Sequence, residues 1–349
     1  MKSAEFIPSQ GPVLNESAII NLFRKAFDRP FPGLVQGIGD DCAVLRTEGQ
    51  QWLVTTDALV EGVHFRLETN PPYRLGKKCL AVNLSDIASM GGIPRFAFLN
   101  LGLPRPVPRG FLAPFIKGFK EEAEKFSVAL AGGDTHQSPQ GISIGLTVIG
   151  EAAGNMAYRS GAKVGDRLYV SGCLGQAAAG FRLLTKFQDH PAALRPRHLR
   201  ELLKAHQDPE PQVALGHFLV RQEFVGAMID LSDGLAADLR HICRASGVGA
   251  LLDADQIPLS PALRTAAALL KTSPLQLALT GGEDYQLLYS VPKGLVKKME
   301  TRVVKQFKRP VYPIGEIISG PKIFIKFSKR VRILKETGFD HFHSSASQE

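Results

Sequence analysis

Strand-like runs that end in glycine or serine beside an aspartate, and then give way to a helical pattern, recur in both halves of this 349-residue chain. Residues 37–45, GIGDDCAVL, read as a glycine turn entering a strand, and Trp52-Leu53-Val54-Thr55-Thr56 is a β-prone run ending at Asp57. Val128-Ala129-Leu130-Ala131 leads into Gly132-Gly133-Asp134. Residues 228–231 lead into Ser232-Asp233-Gly234, and residues 280–284, TGGED, open onto another strand-like run. Helical spacing is predicted over residues 15–27, 75–90, 111–126, 175–184 and from Ser232 to about Ala245, with Gly91-Gly92 and Gly247 as stops. Ile142, Ile144, Leu146 and Val148 alternate as in a half-buried strand. Alternating strands and helices predict an α/β class with α+β layers.

The length favours two domains over one core. The character of the chain changes after Glu151, where a glycine-bearing polar segment, residues 159–166, precedes the next strand. The expected division is therefore 1–151 and 152–349. With 44% hydrophobic and 21% charged residues, the composition excludes a disordered chain, a collagen or a coiled-coil rod. No run approaches the roughly 18 apolar residues of a membrane span. The first residues, with Pro8, Pro12 and Glu16, lack a basic-then-apolar signal pattern. Cys42, Cys79, Cys173 and Cys243 are widely spaced, which fits packed thiols in a reducing compartment. A cytoplasmic location is expected.

The net charge of +9 raises the question of nucleic-acid binding. Much of the excess lies within residues 293–335, where Lys297, Lys298, Lys305 and Arg332 alternate with Val303, Val304, Ile325 and Ile333. Spacing of this kind predicts solvated outer faces of folded elements, and no RNA-module signature accompanies them. No nucleic-acid partner is expected.

The acids carry the chemistry. Each of Asp40, Asp41, Asp57, Asp86, Asp134, Asp230, Asp233, Glu283 and Asp284 taken alone reads as a turn former or helix cap. Several such clusters in one chain point instead to a shared cation site, because converging carboxylates repel unless neutralised. Oxygen ligands without neighbouring His or Cys favour Mg2+, and carboxylate-held magnesium commonly serves phosphates. Familiar nucleotide motifs are absent: there is no GxxxxGK[ST], no GxGxxG and no kinase HRD or DFG set. Residues 141–145, GISIG, match the GxSxG elbow of hydrolases, but they sit in an alternating strand with no helix following.

GIGDDCAVL, TTDALVEGVHF, VNLSDIASMGG, GGDT, RSGAKVGD, IDLSDGL, TGGEDYQL and GFDHF follow one another from about residue 37 to residue 341. In that order they resemble the thiamine-monophosphate kinases, members of a superfamily that also holds aminoimidazole ribotide synthetase, selenophosphate synthetase and a hydrogenase-maturation protein. The resemblance implies a two-domain aminoimidazole ribotide synthetase-like fold with N-terminal sheets pairing in a homodimer. It also implies ATP and thiamine monophosphate as substrates, with several Mg2+ ions. As metal ligands it implies Asp41, Thr55, Thr56, Asp57, Asp86, Asp134, Asp230 and Asp233. For ATP it implies Gly133, Asp134, Arg159 and Ser232; for thiamine monophosphate, His64, Glu283 and Phe339.

Thiamine joins an aminopyrimidine to a cationic ring, which an aromatic such as Phe339 can stack on and a carboxylate such as Glu283 can balance. Arg159, taken alone, reads equally well as a surface cation. Two positions depart from the family pattern. Ile116 stands where a nucleotide-associated tyrosine is usual, and Asp208-Pro209-Glu210-Pro211-Gln212 replaces an arginine-bearing loop. Among other superfamily members, selenophosphate synthesis needs a reactive Cys near the N-terminus and hydrogenase maturation a terminal Cys. Neither pattern is present here, and aminoimidazole ribotide synthesis is the alternative that chemistry alone leaves open.

Overall fold

A computed structural model describes residues 16–27, 30–152, 154–328 and 330–338. Its first part runs α1 (Glu16–Phe27), β1 (Leu34–Gln36), β2 (Ala43–Thr47), β3 (Gln50–Val60), α2 (Pro72–Ser89), β4 (Ile93–Leu103), α3 (Leu112–Phe126), β5 (Ala129–Gln137) and β6 (Ser143–Glu151). Six strands form one sheet in the order β1-β2-β3-β6-β4-β5. Only β4 and β5 are parallel neighbours, and α3 supplies the crossover that a parallel pair requires.

One face of this sheet lies on α2. That helix starts with Pro72 at its first position, where the missing N–H costs nothing, and is buried almost all round, as a helix sandwiched in a core must be. α3 crosses α2 at very close range through two glycines. A Cβ on Gly76 would lie 2.1 Å from the Phe115 carbonyl oxygen, and one on Gly118 1.8 Å from that of Tyr73. β6 shows the alternation its sequence predicts, every second residue being buried. β4 was not foreseen: Phe96 and Phe98 on one side and Ala97 and Leu101 on the other make both faces apolar, which erases the period-two signal. Phe96 and Phe98 are exposed, on the face turned away from the helices.

The second part runs β7 (Arg167–Val170), α4 (Gln176–Lys186), α5 (Arg197–Gln207), α6 (Val213–Arg221), β8 (Met228–Asp230), α7 (Leu235–Ser246), β9 (Gly249–Asp253), α8 (Pro261–Leu269), α9 (Pro274–Thr280), β10 (Leu287–Val291), α10 (Val296–Phe307), β11 (Tyr312–Ile318), β12 (Ile323–Phe327) and β13 (Arg330–Ile333). Seven strands form a mixed sheet, β13-β12-β9-β11-β7-β10-β8. Among the described residues the two parts share a core: Leu80, Leu84 and Ile87 of α2 belong to the same apolar cluster as Leu215 and Leu219 of α6 and Leu287 and Tyr289 of β10.

Ser232 and Asp233 are not the cap of α7. Gly234 is, and no side chain caps that end. The replaced loop carries its own solution to the lost positive charges. Asp208 lies 3.6 Å from Arg74 and 3.5 Å from Lys77, and Glu210 2.6 Å from Lys125, so its acids meet bases on α2 and α3. Met299 and Val303 bury one side of α10 and leave its lysines outside, as the spacing predicts. All four cysteines are free thiols. No helix among the described residues is long and apolar enough to cross a membrane.

Candidate active site

Asp41, Asp86 and Asp230 arrive from three places, namely the turn before β2, the last turns of α2 and the end of β8. Each offers a carboxylate oxygen, and those oxygens all lie within 4.8 Å of one another. Asp41 and Asp230 are 9% and 3% exposed. Burial first, and then neighbouring acids, pushes Asp86 well above the usual carboxylate range. The same causes, with Asp41 as the leading charge, push Asp230 up to about 8. Asp57 stands beside the group and rises to about 6 through lost hydration and the charge of Asp41. Asp57, Asp86 and Asp230 therefore hold their protons more tightly than free carboxyls do.

Neutral partners orient these acids. Thr55 donates from Oγ1 to Asp86 Oδ2 at 2.5 Å, and Ser85 donates to Asp230 Oδ2 at 2.7 Å across the two parts of the molecule. Arg159 is not a surface cation. Its guanidinium donates to Asp41 Oδ1 through Nε at 2.8 Å and again through Nη2, while its backbone N–H donates to both oxygens of Asp40. Burial pulls the Arg159 pKa down, but Asp41 outweighs it and holds the group firmly charged. Asp41 Oδ2, by contrast, is buried with no hydrogen-bond partner. An orphaned buried carboxylate oxygen facing two further carboxylates is the donor set a hard divalent cation needs, so the residues fit magnesium.

Other sequence candidates are distributed less compactly. Side chains alternate along β3, so Thr55 and Asp57 share the face toward α2 while Thr56 points to the other. There its hydroxyl donates to the Leu146 carbonyl and accepts from Thr147. Gly133 and Asp134 are not at a strand end but inside β5, an edge strand exposed along all of its described length. Asp134 pairs in register with Asn100, on the face that carries Phe98 and away from the acid group. Its side chain is 72% exposed, with His136 3.9 Å away. Gly133 has φ +150°, and a Cβ there would lie 1.8 Å from the Leu99 carbonyl oxygen, so the edge admits no side chain at that point. Ile116 is exposed on α3.

Asp233 sits in the loop after β8 and its N–H faces Asp238 Oδ2 at 3.3 Å. The Ser232 carbonyl accepts from the Glu283 N–H at 2.8 Å, which brings two motif loops together. His64 accepts the Val60 N–H at Nδ1, 3.0 Å, which puts the ring proton of the neutral form on Nε2 and makes that nitrogen a donor. Glu283 contacts Lys78 and His206 at 2.7 and 2.8 Å. Asp284 accepts from the Gly175 and Ala177 N–H groups at 2.5 and 3.1 Å, so it closes the start of α4. Phe339 lies outside the described residues.

Sequence reasoning missed Lys78, Ser85, His206 and Asp238. Lys78 had a signal: it stands seven residues, about two turns, before Ser85, with no charged residue between it and Asp86. His206 had none, because only the folding of α5 against the segment before α2 brings it near Glu283.

Fold and site define a class before they define a chemistry. Residues 39–152 match the N-terminal domain, and residues 163–328 the C-terminal domain, of the AIR synthase related proteins. Within that class, the chain is 36% identical over 332 residues to the thiamine-monophosphate kinase of Buchnera aphidicola subsp. Schizaphis graminum (strain Sg), covering 94% of this chain and 99% of that protein. It is 39% identical over 309 residues to the protein of the same name from Escherichia coli (strain K12), covering 88% and 91%. The solved structure "AaThiL complexed with AMPPCP and TMP" aligns with a TM-score of 0.82 at 30% identity, covering 94% of this chain and 97% of that one. The chain belongs to the thiamine-monophosphate kinase family.

Proposed function

We propose that this protein transfers the γ-phosphoryl group of ATP to thiamine monophosphate, giving thiamine diphosphate and ADP. The observation that carries this reading is the meeting of Asp41 and Asp86 from the first part with Asp230 from the second, oxygens within 4.8 Å, in a member of this family. A terminal phosphate oxygen of the acceptor attacks the γ-phosphorus. The new O–P bond forms as the bond to the β-phosphate oxygen breaks, and ADP leaves. The acceptor phosphate is already largely ionised near neutral pH, so no general base and no covalent enzyme intermediate are called for. Magnesium, were it held by Asp41, Asp86 and Asp230 with Asp57, Thr55 and Asp233 nearby, would supply charge neutralisation between the two phosphate chains, while Thr56 and Asp134 face away from that group.

The chain's own groups then bind and orient. Arg159, now on Asp41, is assigned to nucleotide phosphate, and Ser232, Gly133 and Asp134 to the nucleotide. His64 donates from Nε2 to the acceptor phosphate, while Glu283 and Phe339 hold the thiamine rings. Rate then comes from positioning and from fixed charge.

We place the division between the nucleotide-binding N-terminal domain and the C-terminal domain at Glu151, where the first sheet ends. We assign a second copy of the chain to the outer face of that sheet. Phe96 and Phe98 stand exposed there and the outer edge of β5 has no neighbouring strand among the described residues, an arrangement that solvent disfavours and a partner sheet resolves. Offering ATP and Mg2+ with thiamine monophosphate, thiamine or an aminoimidazole precursor tests the reading. Consumption of thiamine monophosphate with stoichiometric ADP supports it, and consumption of only the aminoimidazole precursor overturns it.

A further inference from the structure

Around Glu283 lies a second cluster, whose other members, Lys78 and His206, have no part in the proposed phosphoryl transfer. Lys78 of α2 is completely buried, and its ammonium donates to Glu283 Oε1 at 2.7 Å. On the other side His206 of α5, 2% exposed, places Nδ1 2.8 Å from Glu283 Oε2. The Asn70 amide nitrogen is 3.3 Å from His206 Nε2, so Nε2 accepts and the ring proton of the neutral form lies on Nδ1, which is close to the carboxylate without hydrogen-bonding to it. Phe181 lies against the same imidazole, ring centroids 5.3 Å apart, and Gln207 donates to the Thr69 carbonyl. Lys78, Asn70 and Thr69 belong to the first part of the molecule, while His206, Gln207 and Glu283 belong to the second.

Of Lys78, His206 and Glu283, only Glu283 is accessible. Glu283 keeps 27% of its side-chain surface, whereas Lys78 and His206 are closed off. Its backbone is held in the left-handed region, φ +67°, by the bond from its N–H to the Ser232 carbonyl. Burial alone would raise the Glu283 carboxyl, but Lys78 and then His206 override it and bring it down to about 2. Oε1 accepts from Lys78 and Oε2 lies against His206 Nδ1, and the carboxylate keeps further acceptor directions for a ligand.

We infer that Lys78, bonded to one oxygen of Glu283, and His206, packed against the other, are positioning residues that aim its exposed edge at the aminopyrimidine and cationic ring of thiamine. The inference rests on the proposed function, since it needs Glu283 to meet the substrate. A merely structural interdomain ion pair makes a different forecast: its loss lowers stability and leaves substrate discrimination alone.

Steady-state kinetics with each substrate varied, together with thermal melts, separate the two. Glu283→Gln is expected to raise KM for thiamine monophosphate. Lys78→Met is expected to raise it by about tenfold or more, the scale of one lost hydrogen bond to a charged group, with KM for ATP within about twofold. Lys78→Met combined with Glu283→Gln should be no worse than Glu283→Gln alone, because the grip has nothing left to hold. His206→Leu should repeat the Lys78→Met effect, and His206→Asn, whose amide nitrogen can stand in for Nδ1, should restore most of it. Where Lys78→Met alone does not fold, the double variant removes both charges and the His206 pair still decides. If Glu283→Gln has no effect on that KM, the assignment of Glu283 to substrate fails and this inference with it. If Glu283→Gln raises it while Lys78→Met and His206→Leu change only the melting temperature, or both KM values equally, the positioning role alone is overturned.

Discussion

At the scale of single residues, three of the site's carboxyls, Asp57, Asp86 and Asp230, are raised by burial and by one another's charge. Asp86 is the sharpest case. Half-buried and ringed by acids, it stands well above its usual pKa. Asn copies a neutral Asp in shape and can still accept from Thr55, so Asp86→Asn should keep the melting temperature of the metal-free protein while abolishing turnover. Near-normal activity of this variant at low magnesium would contradict the assignment. Much of this was legible early, because acids beside glycines announce themselves in sequence. Their ranking was not: Thr56 and Asp57 are neighbours in the chain, yet the pleat sends them to opposite faces.

At the scale of elements, α2 is the part on which everything rests. It lies under the first sheet, carries Lys78, Ser85 and Asp86 on one face, and packs against α3 through bare backbone at Gly76 and Gly118. Gly118→Ala places a methyl 1.8 Å from the Tyr73 carbonyl oxygen, so the helices must part. The expected loss is about 2–3 kcal/mol, read from denaturant midpoints at unchanged slope. By contrast, Glu210→Gln removes a pair with Lys125 that is exposed on both sides, and should change stability by less than about 1 kcal/mol. Helix α2 was readable from its spacing, as β6 was from its alternation. β4 was not, because a strand apolar on both faces has no period to read.

At the scale of the whole molecule, two expectations follow. The first concerns pH. A carboxyl whose folded pKa lies above its unfolded value stabilises the fold while protonated; that stability is complete below the unfolded value and is lost as pH rises through the folded one. For Asp57 and Asp230 the loss runs from the ordinary 3.8 up through about 6 and about 8. Millimolar Mg2+ should therefore raise the melting temperature more at about pH 8 than at about pH 5.5, where protons compete for the same oxygens. An equal or reversed increment would place the cation elsewhere. The second concerns association. Phe96→Glu puts a charge on the exposed sheet face and should convert a dimer to a monomer in analytical ultracentrifugation, with the monomer still folded. A wild-type chain that sediments as a monomer at micromolar concentration would remove the proposed pairing.

Sequence alone determined the local and the chemical: which runs alternate, which turn at glycine, which carboxylates stand ready, and the ordered motifs that tie the chain to its family. Such properties are set by neighbours a few residues apart, so they survive in one dimension. Tertiary structure decided which of those carboxylates meet. It joined Asp41, Asp86 and Asp230 across the shared core, left Asp134 on an outer edge, and closed Lys78 and His206 around Glu283 from opposite parts of the chain. Positions 41, 86 and 230 are too far apart for any local pattern to relate them. Only the packing of α2 between the two sheets fixes that distance.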